Sequence, residues 1–125
     1  MNNFKQIGDV ITIPAAAAAV TSGQVLKIGN ILAVAAHSAA IGEPVECKRT
    51  GVFLVPKVSG AVIAQGESLT WDVSASSGAG AFDDNAATPA SGDVTGAAAF
   101  AFEAAGAGVT TLAVYFTGVP GTVTA

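Results

Sequence analysis

The sequence is poor in nearly every residue type that does chemistry. Only 11% of its 125 residues are charged, against roughly a quarter in an ordinary domain. It holds one histidine and one cysteine. A nucleophilic triad needs a base to activate its serine or cysteine. The sole imidazole, His37, closes an apolar run beside Ser38 and reads as a strand-end surface residue. No Gly-x-Ser-x-Gly elbow occurs. A structural zinc draws four ligands from His and Cys, more than His37 and Cys47 can supply. A lone cysteine cannot form an intrachain disulfide. In Val45-Glu46-Cys47-Lys48-Arg49 alternation sets Cys47 beside Val45, as a small buried hydrophobe. A reduced thiol fits synthesis in a cytoplasm. No enzyme activity, metal or cofactor is expected.

Positive charge is scarce as well. Five Lys and Arg stand against nine Asp and Glu, for a net charge of −4. Nucleic-acid binding draws on clustered basic residues that release counterions, and only Lys48-Arg49 are adjacent. Anionic membrane surfaces are disfavoured for the same reason. Long hydrophobic runs are missing too. The apolar stretch from Ile13 to Val20 carries Pro14 and is far too short to span a bilayer. Met1-Asn2-Asn3-Phe4-Lys5 does not start a signal peptide, which needs a basic segment and then a long apolar one. The expectation is a soluble protein with neither nucleic acid nor membrane as partner. The carboxylates Glu43, Glu46, Glu67 and Glu103 show no paired spacing and read as solvent-face residues that keep strand edges soluble. Asp83-Asp84-Asn85, with Asp93 nearby, lacks the alternation and closing Glu of a calcium loop and reads as a solvated loop tip. Gly78-Ala79-Gly80 and Gly106-Ala107-Gly108 read as turns.

What is present is alanine, valine and 15 glycines. Gly8, Pro14, Gly23, Gly29-Asn30, Gly42, Pro44, Gly51, Pro56, Gly60 and Gly66 interrupt the chain too often for helices, which average 11–12 residues. Short β-rich runs between regular turn signals predict an all-β fold, a compact barrel or jelly-roll-like sandwich. Residues 1–125 read as a single β domain, with an N-terminal arm (1–8) and a short uncharged tail (119–125). Strands are predicted at 9–13, 24–28, 31–36, 44–48, 52–55 and 69–73, then within 97–104 and 110–116. Gly29-Asn30 makes a two-residue hairpin turn, because both residues tolerate positive φ. Val52-Phe53-Leu54-Val55 is apolar on both faces and is therefore central in its sheet, or covered by a neighbouring subunit. The alanine run 14–23 is expected as a tight loop or a strand extension rather than a helical turn, because alanine packs closely. Residues 74–96 form one long loop with a brief strand at Ala81-Phe82. The predicted core is Trp71 at the centre, with Phe100 and Phe102 on one strand and Leu112, Val114 and Phe116 on the next.

The order of motifs carries more. Asn3-Phe4-Lys5-Gln6-Ile7-Gly8-Asp9-Val10-Ile11-Thr12 opens the chain. Ala-Ala-Val-Thr-Ser-Gly (18–23) and Gly-Asn-Ile-Leu-Ala-Val-Ala (29–35) follow. Then come Ala40-Ile41-Gly42-Glu43-Pro44-Val45, Gly51-Val52-Phe53-Leu54-Val55-Pro56-Lys57 and Gly66-Glu67-Ser68-Leu69-Thr70-Trp71-Asp72. Ala104-Ala105-Gly106-Ala107-Gly108 and a valine-rich strand complete the series. From about residue 3 to 118 this resembles the capsid cement, or decoration, proteins of tailed bacteriophages. The resemblance implies a β subunit without enzyme activity. It implies a protein made in the bacterial host cytoplasm that binds the outer surface of the icosahedral head and cements the major capsid protein lattice. It also implies self-association, a homotrimer slightly over a homodimer. The 74–96 loop is longer than the simplest family pattern. Phe4, Lys5, Gln6 and Ile7 of the arm, with Val119 and Val123 of the tail, are the expected capsid or inter-subunit contacts, Phe4 and Ile7 as anchors. The alternative role is a virion spike or fibre-tip subunit that meets the host through the 74–96 loop, whose only aromatic is Phe82.

Overall fold

The computed structural model describes residues 8–125. The expected arm contacts Phe4, Lys5, Gln6 and Ile7 lie outside the described residues. Between the glycines and prolines the chain runs as β1 (Val10–Ile13), β2 (Val25–Ile28), β3 (Ile31–Ala35), β4 (Val45–Lys48), β5 (Gly51–Pro56), β6 (Thr70–Asp72), β7 (Ala81–Asp83), β8 (Val94–Thr95), β9 (Ala99–Ala101), β10 (Thr111–Phe116) and β11 (Thr122–Val123). One 3-10 turn, Ser76–Gly78, is the only helical element among the described residues.

The strands form three antiparallel sheets, in the orders β1-β4-β3-β2, β5-β10-β9 and β11-β8-β6-β7. Isolated bridges, Lys57 with Phe82 and Ser68 with Phe100, stitch the second sheet to the third. No continuous barrel closes among them, so of the two expected architectures the sandwich is the compatible one. The β2–β3 hairpin turns at Gly29-Asn30 as its sequence predicts, with Ile28 opposite Ile31 and Gly29 at φ +60°.

Two cores share one wall. The larger gathers Val55, Ile63, Leu69, Trp71, Phe82, Val94, Leu112, Val114 and Phe116, together with Val25, Leu32 and Val34 from the first sheet. The smaller contains Ala33, Ala35, Val45 and Cys47, closed by Ala16, Val20 and Ala39. Strand periodicity puts alternate residues of β3 on opposite faces, so Leu32 and Val34 serve one core while Ala33 and Ala35 serve the other. The alanine run is an open loop laid over the smaller core. It is fixed where the Ala16 amide donates to the Glu43 carbonyl (2.8 Å) and where Val20 bridges Ala39. Of residues 14–20 only Ala16 and Val20 are buried.

An aromatic row runs through the larger core. Trp71 lies 4.8 Å from Phe82, Phe82 lies 5.8 Å from Phe116, and Phe116 lies 5.8 Å from Phe53, all tilted or edge-on. Such contacts add about 0.5–1.5 kcal/mol each beyond the area they bury. Gly80 makes the Trp71 position possible. It has φ +91°, and a Cβ there would stand inside the indole.

The structure refines or changes several expectations. In residues 74–96 the brief strand expected at Ala81-Phe82 is present as β7, and the segment also holds the 3-10 turn and β8. Buried Asp93 organises them, its carboxylate accepting from the amides of Val73 (3.1 Å) and Ala90 (3.0 Å). Phe100 and Phe102 are not core residues. Phe100 is half-buried on the outer face and Phe102 is 47% exposed, while Ala99 and Ala101 point inward opposite Phe116 and Val114. Phe116 already fills that space, so only alanine fits beside it. Strand β5 is an edge strand rather than a central one. The tail is woven into the fold, since β11 pairs with β8 and Val123 packs on the larger core. Val123 is partly buried there.

Replacing Gly80 by Ala should remove about 2–4 kcal/mol of stability, from overpacking and the left-handed backbone together. Urea denaturation followed by Trp71 fluorescence measures it, and an unchanged midpoint would contradict this packing.

Candidate interaction surfaces

The reactive side chains have structural employment. The His37 Nε2 accepts from the Glu46 amide at 3.1 Å. That bond leaves Nδ1 as the protonated nitrogen, which donates to the Ser38 carbonyl at 3.0 Å. Cys47 is fully buried in the smaller core, where its burial, and after that the Glu46 charge, push the thiol pKa above 9.0. Asp83 and Asp84 accept amides within their own turn, and the Asn85 amide donates to Glu67 Oε2 at 2.8 Å. Buried Lys57 donates to the carbonyls of Val58 (2.9 Å) and Val109 (3.1 Å). Among the described residues no group of three or more His, Cys, Asp or Glu could hold a metal ion, and no helix is long and apolar enough to cross a membrane. Phe82 is fully buried, so the 74–96 segment offers no aromatic platform from that residue.

What the molecule does present is apolar surface. On the outer face of the β5–β10–β9 sheet the register builds two cross-strand rows. One runs Val52, Tyr115, Phe100, with the two aromatic rings stacked 5.0 Å apart at 19°. The other runs Leu54, Ala113, Phe102, the last placed by its amide donating to the Ala113 carbonyl at 2.9 Å. Leu54 is 72% exposed and Val52 42%. Ala113 is flanked by larger neighbours, and a hollow of about 290 Å³ opens there, bounded by Leu54, Val109 and Glu103. A second hollow, of about 360 Å³, lies between the alanine loop and β2, lined by Ile13, Leu26 and Ile28.

The two ends of the chain meet at one guanidinium. Arg49 Nε donates to the Gly8 carbonyl, and Arg49 Nη1 donates to the Gly118 carbonyl at 2.7 Å. Gly118 has φ +71°, and a Cβ there would collide with the guanidinium. The root of the arm thus sits against the residue that precedes Val119, which is 48% exposed. Of the six expected contact residues the structure places Val119 beside the arm root and turns Val123 inward. Arg49 carried no sequence signal beyond its adjacency to Lys48.

A family model of phage cement proteins matches residues 5–116. The chain belongs to the phage cement protein family. The match begins within the arm, at Lys5, and ends on the last residue of β10. The family is a structural one rather than an enzyme family, and its membership makes the chain a capsid-stabilising phage component. No curated protein sequence matches the chain significantly.

Two outcomes follow from this chemistry. A thiol pKa raised by folding contributes stability that is full below the ordinary value and lost as pH climbs through the raised one. Stability should therefore fall above about pH 9 in the native sequence, and Cys47→Val should flatten that part of the profile in urea melts. Arg49→Ala removes two hydrogen bonds from a charged donor and should cost about 1–3 kcal/mol, read as a lower urea midpoint.

Proposed function

We propose that the protein binds the outer surface of an icosahedral phage head and holds the major capsid protein lattice together. The family match over residues 5–116 carries this reading. The physical character of the chain supports it. Few charges need desolvation when its surface meets another protein, and the core of an interface is where charged residues are depleted. The arm, residues 1–8, is proposed as the capsid contact, with Val119 beside its root. Arg49 supports the assignment, because it fixes the point from which the arm departs. Self-association, with a homotrimer favoured slightly over a homodimer, supplies avidity, since linked copies turn weak contacts into durable ones. Synthesis in the bacterial host cytoplasm precedes attachment.

Purified heads that lack the protein test this reading. Added protein should bind saturably at a fixed ratio to the major capsid protein and raise the temperature at which heads release DNA. A chain lacking residues 1–7, shown to be folded by circular dichroism, should lose most of its co-sedimentation with heads. Heads that take up no native protein would refute the cement role. Undiminished binding by the truncated chain would refute the arm's part in it.

A further inference from the structure

We infer that the outer face of the β5–β10–β9 sheet is where a second copy of this chain packs, an inference that rests on the cement reading. The face carries two rows of apolar side chains, Val52–Tyr115–Phe100 and Leu54–Ala113–Phe102, set by the strand register. With Val109, 42% exposed at the same hollow, they present on the order of 400 Å² of apolar surface, the size of the largest and often functional patch on a typical protein. A stable interface takes roughly 800 Å² from each partner. The two rows therefore suit the dry centre of one, and the surrounding polar surface its rim.

Three observations favour a second copy as the occupant. Copies of one chain must fit one another, and this face holds both halves of a fit. Leu54 projects, 72% exposed, and Ala113 beside it floors a hollow of about 290 Å³. Leu54 of one copy can then seat over the hollow of the next. The rows carry no charged side chain, with only Glu103 at the margin of the hollow, so an identical face meets no unmatched charge. Along the same strand the outer edge of β5 pairs with nothing over Gly51–Val55 among the described residues. Those five residues include no charge and no proline. Natural edge strands are normally guarded by such residues or covered.

Sedimentation equilibrium of the full chain without heads tests the inference. Native protein should sediment at a multiple of 12.1 kDa. Leu54→Lys should shift it to the single-chain mass. Ala113→Leu adds apolar surface but fills the hollow, and should weaken self-association by about tenfold or more. Ile41→Lys, at an exposed turn away from this face, should leave the mass unchanged. Circular dichroism and urea midpoints establish that each variant is folded, and Ala113→Leu decides the matter if Leu54→Lys does not fold. A native chain that is monomeric at every concentration overturns the inference, as do folded Leu54→Lys and Ala113→Leu variants that keep the native mass. A monomer whose head binding is lost in Leu54→Lys also overturns it, by giving this face to the capsid and leaving the cement role standing. Self-association through this face in a protein that ignores heads keeps the inference and sinks the cement role instead.

Discussion

The contact on which the rest depends is Trp71 packed close against Gly80 and tilted on Phe82. It sets the aromatic row through Phe82 and Phe116 to Phe53, and the row decides which side of every neighbouring strand faces inward. Phe116 fills the space at the end of β10. The facing positions of β9 are then left to Ala99 and Ala101. Because strand side chains alternate, the aromatics between and after those alanines must point out. The outward face of Phe100 and Phe102 is a consequence of how the inside is filled. Exposed apolar surface thus arises from the core rather than apart from it.

The first sheet solves a different problem with the same few residue types. Its β3 strand is buried on both sides, which needs a second layer over the far side. No helix is available in so broken a sequence. The alanine loop takes that place, with Ala16 and Val20 pressed on Ala33, Ala35 and Cys47. A loop can cover a sheet only if its backbone groups find partners. The amides of Ala16 and Val20 find the Glu43 and Ala39 carbonyls, and the Gly42 amide returns to Ala16. A larger side chain at buried Ala16 would push the loop off these partners.

Much of this was legible in the chain before its fold was known. Breaker spacing marked the all-β class, alternation placed Val45 and Cys47 together, and Gly29-Asn30 marked the hairpin. Leu112, Val114 and Phe116 were read inward from their period alone, and all three are buried. The inward side of β9 was not legible, because the volume open to it depends on Phe116 from another strand. Within 74–96 the brief strand at Ala81-Phe82 was legible and is β7, whereas β8 is two residues long and held by long-range pairing with β6 and β11, which no local pattern reveals. The β5 reading was half right. Its two apolar faces were visible, but edge or centre is a property of sheet order. The Arg49 contact was invisible for the same reason, since its partners are 41 and 69 residues away.

Low charge has opposing effects on a protein surface. Charged surface keeps proteins apart, yet desolvating it at an interface is costly. This chain separates the two demands in space. Most of its large exposed apolar side chains near the sheet edge, Val52, Leu54, Phe102 and Val109, are gathered on one side. The loop over the smaller core exposes mainly alanine, whose small apolar area attracts other surfaces only weakly. A net charge of −4 is then enough repulsion for the remainder. If the gathered side is covered early by an identical copy, what stays open to the lattice is a surface that is weakly adhesive in one subunit and firm only when several copies engage together.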